Sequence, residues 1–459
     1  MGGLSTSLMT GLQALNATQA ALNSTSNNIA NANTAGYTRE VAEFSENAEN
    51  LTGGAVSGGG VSLDGIESVR DQLLNLQIQQ QTSLQSSADT QSSSLQSVET
   101  LFSSTGNDIA SALSALSSNL AQLSANPTSS ASQQSVLTAG QNLAESFNTT
   151  SNGLSGAQSS ADQQVTETVA QINSITQQIA QLNAQLSPSV MSQQNGGTIE
   201  DQRDQLVQQL STLTGISVTQ SNDGEVITTG NGTPLVMGGQ SYSLQTTTGS
   251  DGFQHVLDSN GDDITSNLQG GQLGGAIQVR DHIIPGFLNS LNTLASQFAT
   301  SFNAAQEQGF DSSGKAGQAF FNIPSGAAGA AGGISVALTS GSQVAVSSDG
   351  SAGSNGNVAN LSAALTSNLP SGQSAASAYA TLVYQVGSAS SNAGAQSSAL
   401  GQSILQLTNQ QSSVSGVSID EETTNLIRYQ TAYEAAARII STVQALTTVT
   451  LDMGATQSY

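Results

Sequence analysis

Few residues in this chain have the type and spacing that chemistry would need. Gly309, Gly314 and Lys315 stand at the G-x₄-G-K spacing of a loop that cradles phosphates with backbone N–H groups. The next residue is Ala316, where such a loop needs a hydroxyl for Mg²⁺. Phe298 and Phe302 before it carry helical spacing where a strand is required. Asp258, Asn260 and Asp262 open like a calcium loop, but Asp263 replaces the sixth-position Gly and Gln269 the bidentate Glu. A polar turn is expected there. His255 and His282 are the only histidines, too few for a multi-histidine metal site and scant material for a Ser–His–Asp relay. With no cysteine, disulfides, thiolate metal sites and iron–sulfur clusters are excluded. A glycosidase needs two carboxylates at a set separation, and none of the 31 acidic residues forms a pair that stands out. The expectation is a non-enzyme with no cofactor and no metal.

Composition narrows the partners. Charged residues are 8% of the 459, against about 25% in ordinary globular proteins. With Lys+Arg at 7 and Asp+Glu at 31, the net charge is −24, which repels phosphates and anionic lipid. Nucleic acid is excluded as a partner. No apolar run approaches the ~18 residues of a membrane span, so no membrane insertion is expected. The first basic residue is Arg39, so a secretory n-region is missing and export would take another route.

The elements that must position these residues are mostly helices. Leu8, Leu15, Leu22 and Ile29 recur every seven residues with Leu12 between, a seam that wants another helix. Near the other end Leu426, Tyr429, Tyr433, Ala436, Ile440 and Val443 step 3, 4, 3, 4, 3, behind a capping-box pair, Ser418 and Glu421. Inside, heptads run through Ile109, Leu113, Leu116, Leu120 and Leu123, and through Val165, Ile172 and Ile179 until Pro188. Another runs from Ile284 to Phe298 after a break around Pro285. Residues 215–275 change period: Ile216 and Val218, then Asn222-Asp223-Gly224 and Val226, predict a hairpin. Residues 322–357 are Gly/Ala/Ser-rich and read as a surface loop or reduced β insert.

The fold class is mainly α with a small β part: a long helical bundle formed by the N- and C-terminal regions together, with an inserted β-rich domain, elongated and multidomain. Three units are expected. Residues 1–60 with 415–459 make terminal axial helices and an adjoining loop. Residues 61–214 with 276–320 and 358–414 make a helical bundle. Residues 215–275 with 321–357 make a small β-rich outer domain.

Residues 24–39, STSNNIANANTAGYTR, resemble the N-terminal signature of bacterial flagellar rod, hook and hook-associated proteins, carried by Asn28, Ile29, Asn31, Asn33, Thr34, Gly36 and Tyr37. Residues 415–446 resemble the matching C-terminal signature. Blocks 58–80, 109–148, 201–218 and 273–321 are similar to the hook-associated branch at the hook–filament junction. The resemblance implies a structural component of the flagellum that joins hook to filament and turns over no substrate. A hook or distal-rod protein is the neighbouring alternative, and a secreted adhesin the distant one. It implies as partners further copies in a ring-like layer of a helical tube, the hook protein, the next junction protein, and a cytoplasmic export chaperone at the C-terminal helix. It implies secretion through the flagellar type III channel, without a cleaved signal peptide, to the extracellular flagellum. The two terminal seams would carry assembly. A large outermost domain, which the family places after the Phe320-Phe321 pair, is absent or vestigial.

Overall fold

The computed structural model describes residues 2–47, 50–52, 55–57, 59–102, 108–186, 196–221, 224–324 and 328–455. Its helices are α1 (Gly2–Asn31), α2 (Gln72–Phe102), α3 (Ile109–Ala125), α4 (Ser130–Gln185), α5 (Gly196–Leu213), α6 (Gly271–Gln278), α7 (Ile284–Glu307), α8 (Gly356–Thr366), α9 (Ala375–Ser415) and α10 (Ile419–Ala455). The strands are β1 (Glu40–Glu46), β2 (Asn50–Thr52), β3 (Ala55–Ser57), β4 (Val61–Ser68), β5 (Ile216–Ser221), β6 (Gly224–Thr229), β7 (Pro234–Met237), β8 (Gln240–Ser241), β9 (Gln245–Thr248), β10 (Gln254–Leu257), β11 (Phe321–Asn322) and β12 (Ser335–Val336). The chain is mainly helical with a small strand content.

The larger core follows from the internal heptads. Asp108 starts α3 by accepting the Ser111 N–H at 2.6 Å, and all five of its heptad positions are buried. They pack against the first half of α4, against α7 and α8, and against the start of α9. Phe298, Phe302, Phe320 and Phe321 meet ring to ring at 4.8–5.8 Å in the middle of it. The break expected at Pro285 is a single π-turn, Val279–Ile283, that carries α6 into α7. Proline lacks the N–H that would continue the helical ladder, and the wider turn accommodates it.

A smaller core lies along the second half of α4. Val165, Ile172 and Ile179 pack there against Val207 and Leu210 of α5, Ile227, Leu235 and Val236 of the sheet, and Leu273 of α6. The sheet is antiparallel in the order β5-β6-β7-β8, and Val218 stands opposite Ile227. Strand β6 buries Glu225, Ile227 and Thr229 in strict alternation, the period-2 pattern of a half-covered strand. The expected turn residues Asn222 and Asp223, and Pro188, lie outside the described residues.

Two boundaries differ from the sequence reading. Residues 61–68 are not helical: β4 pairs with β1, and this ribbon packs on α1 in the terminal unit. Residues 321–357, grouped above with the outer β-region, pack instead into the larger helical core. Ala330, Ala331, Ile334, Leu338, Val344 and Val346 are all buried there. Helix amides make this possible by bonding the segment's backbone. Asn148 donates to the Ala331 and Ile334 carbonyls, at 2.8 and 3.1 Å. Asn303 grips Phe321 through both its N–H and C=O, and Gln306 donates to the Gln343 carbonyl at 2.9 Å. Small side chains let that backbone come close enough, so low hydrophobicity here signals tight approach rather than a free loop.

Candidate assembly interface

The terminal unit is built on α1 and α10, which lie side by side. On α10 the seam residues face α1: Ala436 and Val443 are buried, and Leu426, Tyr429, Tyr433 and Ile440 are half-buried. A Cβ on Gly11 would stand 3.0 Å from Ile440 Cγ1, which marks the closest approach of the two helices. On α1, Leu8, Leu15, Leu22 and Ile29 are half-buried and Leu12 is 43% exposed. The buried positions are Gly11, Ala17, Ala21, Ser24, Thr25 and Asn28. Gly11, which meets α10, lies on the same side of α1 as Ile29, whereas Ser24 and Asn28 donate to the Glu40 carbonyl of β1 and continue the stripe of Ala17 and Ala21. Ile439, whose Cγ2 would stand 3.6 Å from the same Gly11 Cβ, flanks the seam, and Ile439, Leu446 and Val449 are all exposed.

The signature segment closes the end of this unit. Asn28, buried in the last turns of α1, donates to the Glu40 carbonyl at 2.8 Å and accepts the Glu40 N–H at 2.9 Å. It also accepts the Tyr37 hydroxyl at 2.8 Å. One amide thereby fixes the direction in which the chain leaves α1 and enters β1. Asn31 is half-buried and accepts the Thr34 hydroxyl at 3.2 Å, while Asn33, Thr34 and Gly36 are exposed. Gly36 has φ +78°, and a side chain there would strike Gln205 of α5. Burial pushes the Tyr37 phenol up, with the Glu40 and Asp201 carboxylates adding to the shift. The Glu40 carboxyl is also raised, first by burial and then by Asp201.

Ion pairs that no sequence pattern marked join the units. Arg70, just after β4, reaches Asp201 at 2.6 Å and also pairs with Asp204 and Glu200 of α5. Asp201 also accepts the Thr38 N–H at 3.1 Å, so α5 holds both the signature loop and the ribbon's exit. Arg203 pairs with Glu225 of β6 at 2.9 Å, joining α5 to the sheet. Arg280, 1% exposed, pairs with Asp162 of α4 at 2.7 Å and donates to the Gln254 carbonyl at 2.6 Å. Burial raises the Asp204 and Glu225 carboxyls, and the adjacent arginines oppose the shift. The scarcity of cations was the available signal: in a chain with so few, Arg39, Arg70, Arg203 and Arg280 each mark a joint.

The other titratable residues are local braces. Asp258 accepts the Asn260 and Asp262 N–H groups at 2.8 and 2.9 Å, the expected polar turn. Asp311 accepts the Ser313 and Lys315 N–H groups, so the would-be phosphate loop is closed by its own carboxylate. His255 lies between Asp263, at 2.5 Å, and Asp251, at 3.2 Å. His282 is exposed on the π-turn. Among the described residues no group of three or more His, Cys, Asp or Glu is arranged to hold a metal ion, and no helix is long and apolar enough to cross a membrane.

Residues 95–321 match the flagellar hook-associated protein FlgK helical domain, residues 409–453 the flagellar basal body rod FlgEFG protein C-terminal family, and residues 8–38 the flagella basal body rod protein family. The chain is 31% identical to flagellar hook-associated protein 1 of Bacillus subtilis, covering 95% of both chains. To the protein of that name from Salmonella typhimurium it is 30% identical, over 68% of this chain and 59% of the other. Its fold matches the flagellar hook junction protein FlgK of Burkholderia pseudomallei, with a TM-score of 0.67 at 19% identity, over 74% of this chain and all of the other. Aligned from the terminal pair through both cores, the chain belongs to the flagellar hook-associated protein 1 family.

Proposed function

We propose that this chain forms a layer of the hook–filament junction, joining the hook to the filament and providing the end on which filament subunits assemble. The supporting observation is the α10 surface: a single copy buries one apolar row against α1 and leaves Leu446 and Val449 facing water. A helix hydrophobic on two sides needs neighbours on two sides. The role is mechanical and turns over no substrate. Its partners are further copies of itself, the hook protein on one side and the next junction protein on the other. Before assembly the exposed α10 surface suits an export chaperone, and export takes the flagellar type III route. The test is deletion of the gene. Cells should lose swimming, carry hooks without filaments in electron micrographs, and shed unpolymerised flagellin into the medium. Normal filaments on such cells would overturn the reading.

A further inference from the structure

We infer that neighbouring copies join head to tail through two unlike faces of the terminal unit, the outer face of α10 on one copy and the acidic β1–β4 ribbon on the next. This rests on the junction role proposed above and specifies the contact that carries it.

The cations point to it. Arg39, Arg70, Arg203 and Arg280 are ion-paired within the chain. Arg428 and Arg438 are exposed and have no carboxylate partner among the described residues. Arg428 only lies over the neighbouring Tyr429 ring, at 5.0 Å. At about 100° per residue Arg428 falls in line with exposed Leu446, and Arg438 within about 20° of exposed Val449, so both arginines lie among the apolar residues that α10 leaves in water.

The ribbon is the complement. Exposed Val41 stands opposite exposed Glu67, and Glu43, two residues on, shares that face. Glu46 and Asp64 are exposed beyond it, with Phe44 opposite Leu63. No Lys or Arg occurs between Arg39 and Arg70.

The two surfaces stand at the same height. The ribbon's base is clamped to the start of α10 by the Arg39–Glu421 pair at 3.1 Å and to the end of α9 by the bond from Arg39 N–H to the Ser415 carbonyl. At its far end, a Cβ on Gly60 would lie 2.7 Å from Gln13 and 3.2 Å from Thr10, beside the Gly11–Ile440 approach. The ribbon therefore runs beside the α10 stretch from Glu421 to Ile440, which contains both arginines. They are ten residues, about 15 Å, apart along α10, and the seven residues of β1 span about 23 Å. Helix α1 touches both α10 and the ribbon, and within one copy neither Arg428 nor Arg438 pairs with a described ribbon carboxylate, whose cationic partner a copy alongside can supply. Ribbon against ribbon would oppose carboxylates, and α10 against α10 would oppose arginines, so the unlike pairing is favoured. Such heterologous contacts repeat into rings or helical tubes.

The cysteine-free chain makes the test clean. Flagella from cells carrying Val41→Cys with Ala435→Cys, treated with a mild thiol oxidant, should give dimers and higher multiples on non-reducing gels. Each single variant should stay monomeric. Adding Arg428→Glu and Arg438→Glu should lower the cross-linked fraction roughly tenfold, and Glu43→Arg with Glu67→Arg should restore most of it. Dimers from a single variant would show like-to-like contact and overturn the inference. So would monomer alone in flagella that contain the chain and swim, which would leave the junction role standing. Absence of the chain from the junction would overturn both.

Discussion

The α3–α4–α7 core and the α1–α10 pair are both written in seven-residue repeats, yet they use them differently. In the core, Leu116, Leu120, Leu291 and Phe298 are fully buried, because each helix is met on several sides by others of the same chain. The α1–α10 pair has only one internal seam: Leu8, Leu15 and Leu22 of α1 stay half-buried, and Leu446 and Val449 of α10 stay in water. The same period therefore records two things: a partner already present in the chain, and a partner still to come.

The comparison breaks most visibly with a pair of substitutions. Phe302→Ala, in the middle of the aromatic cluster, should cost about 3–5 kcal/mol in urea unfolding. Leu12→Ala should change that unfolding by no more than about 0.5 kcal/mol but reduce filament attachment in cells. Equal destabilisation by both would mean that Leu12 belongs to an internal core after all.

The joints between regions should come next. Arg203→Gln would leave Glu225 buried beside Asp204 with its main counter-charge removed. A loss of about 3 kcal/mol is expected, with hydrogen exchange rising first in β5–β7 and α5 rather than in α3. A uniform rise would show that the two cores unfold as one.

Gly140→Ala tests how tightly the 321–357 segment is seated. A Cβ on Gly140 would strike the Phe320 ring, and overpacking of this kind costs about 1–3 kcal/mol. A stabilised variant would indicate a looser segment. Because the segment supplies seven buried apolar side chains to the larger core, replacing it with a Gly/Ser linker should also destabilise the fold.

The smallest effect concerns the outer β-region. Hydrogen bonds to Asp263 and then Asp251 raise the His255 pKa above its usual 6.5. A raised folded value means the stabilisation is complete below the unfolded pKa and is lost as pH rises through the folded one. The side chain is partly solvated, so the effect should stay below about 1 kcal/mol. Protection of β9 and β10 in hydrogen exchange should decline as pH rises past neutrality, and His255→Gln should remove that slope. An unchanged slope would place the titrating group elsewhere.

The sequence by itself determined the elements. Heptads, the capping Ser418 and the strand alternation are local patterns, and local sterics and hydrogen bonding act on residues a few positions apart. That is why α3, α4, α7, α10 and the β5–β6 pairing could be read in advance, and why the terminal signatures pointed to the family. Tertiary structure decided which stripe of each helix found which neighbour. Leu12 and Ala17 lie on one helix, and only the way its neighbours cover that helix leaves the first exposed and buries the second. Asn28 is only a signature residue in the sequence, and its partners, the Glu40 backbone and the Tyr37 hydroxyl, come to it because the chain beyond α1 folds back. Residues 330–346 looked unable to pack because their side chains are small, whereas their backbone is what Asn148, Asn303 and Gln306 hold. Arg70 and Asp201 are 131 positions apart, and no short-range rule connects them. Periodicity is stored within a segment, but burial and charge pairing belong to two segments at once, so only the fold could assign them.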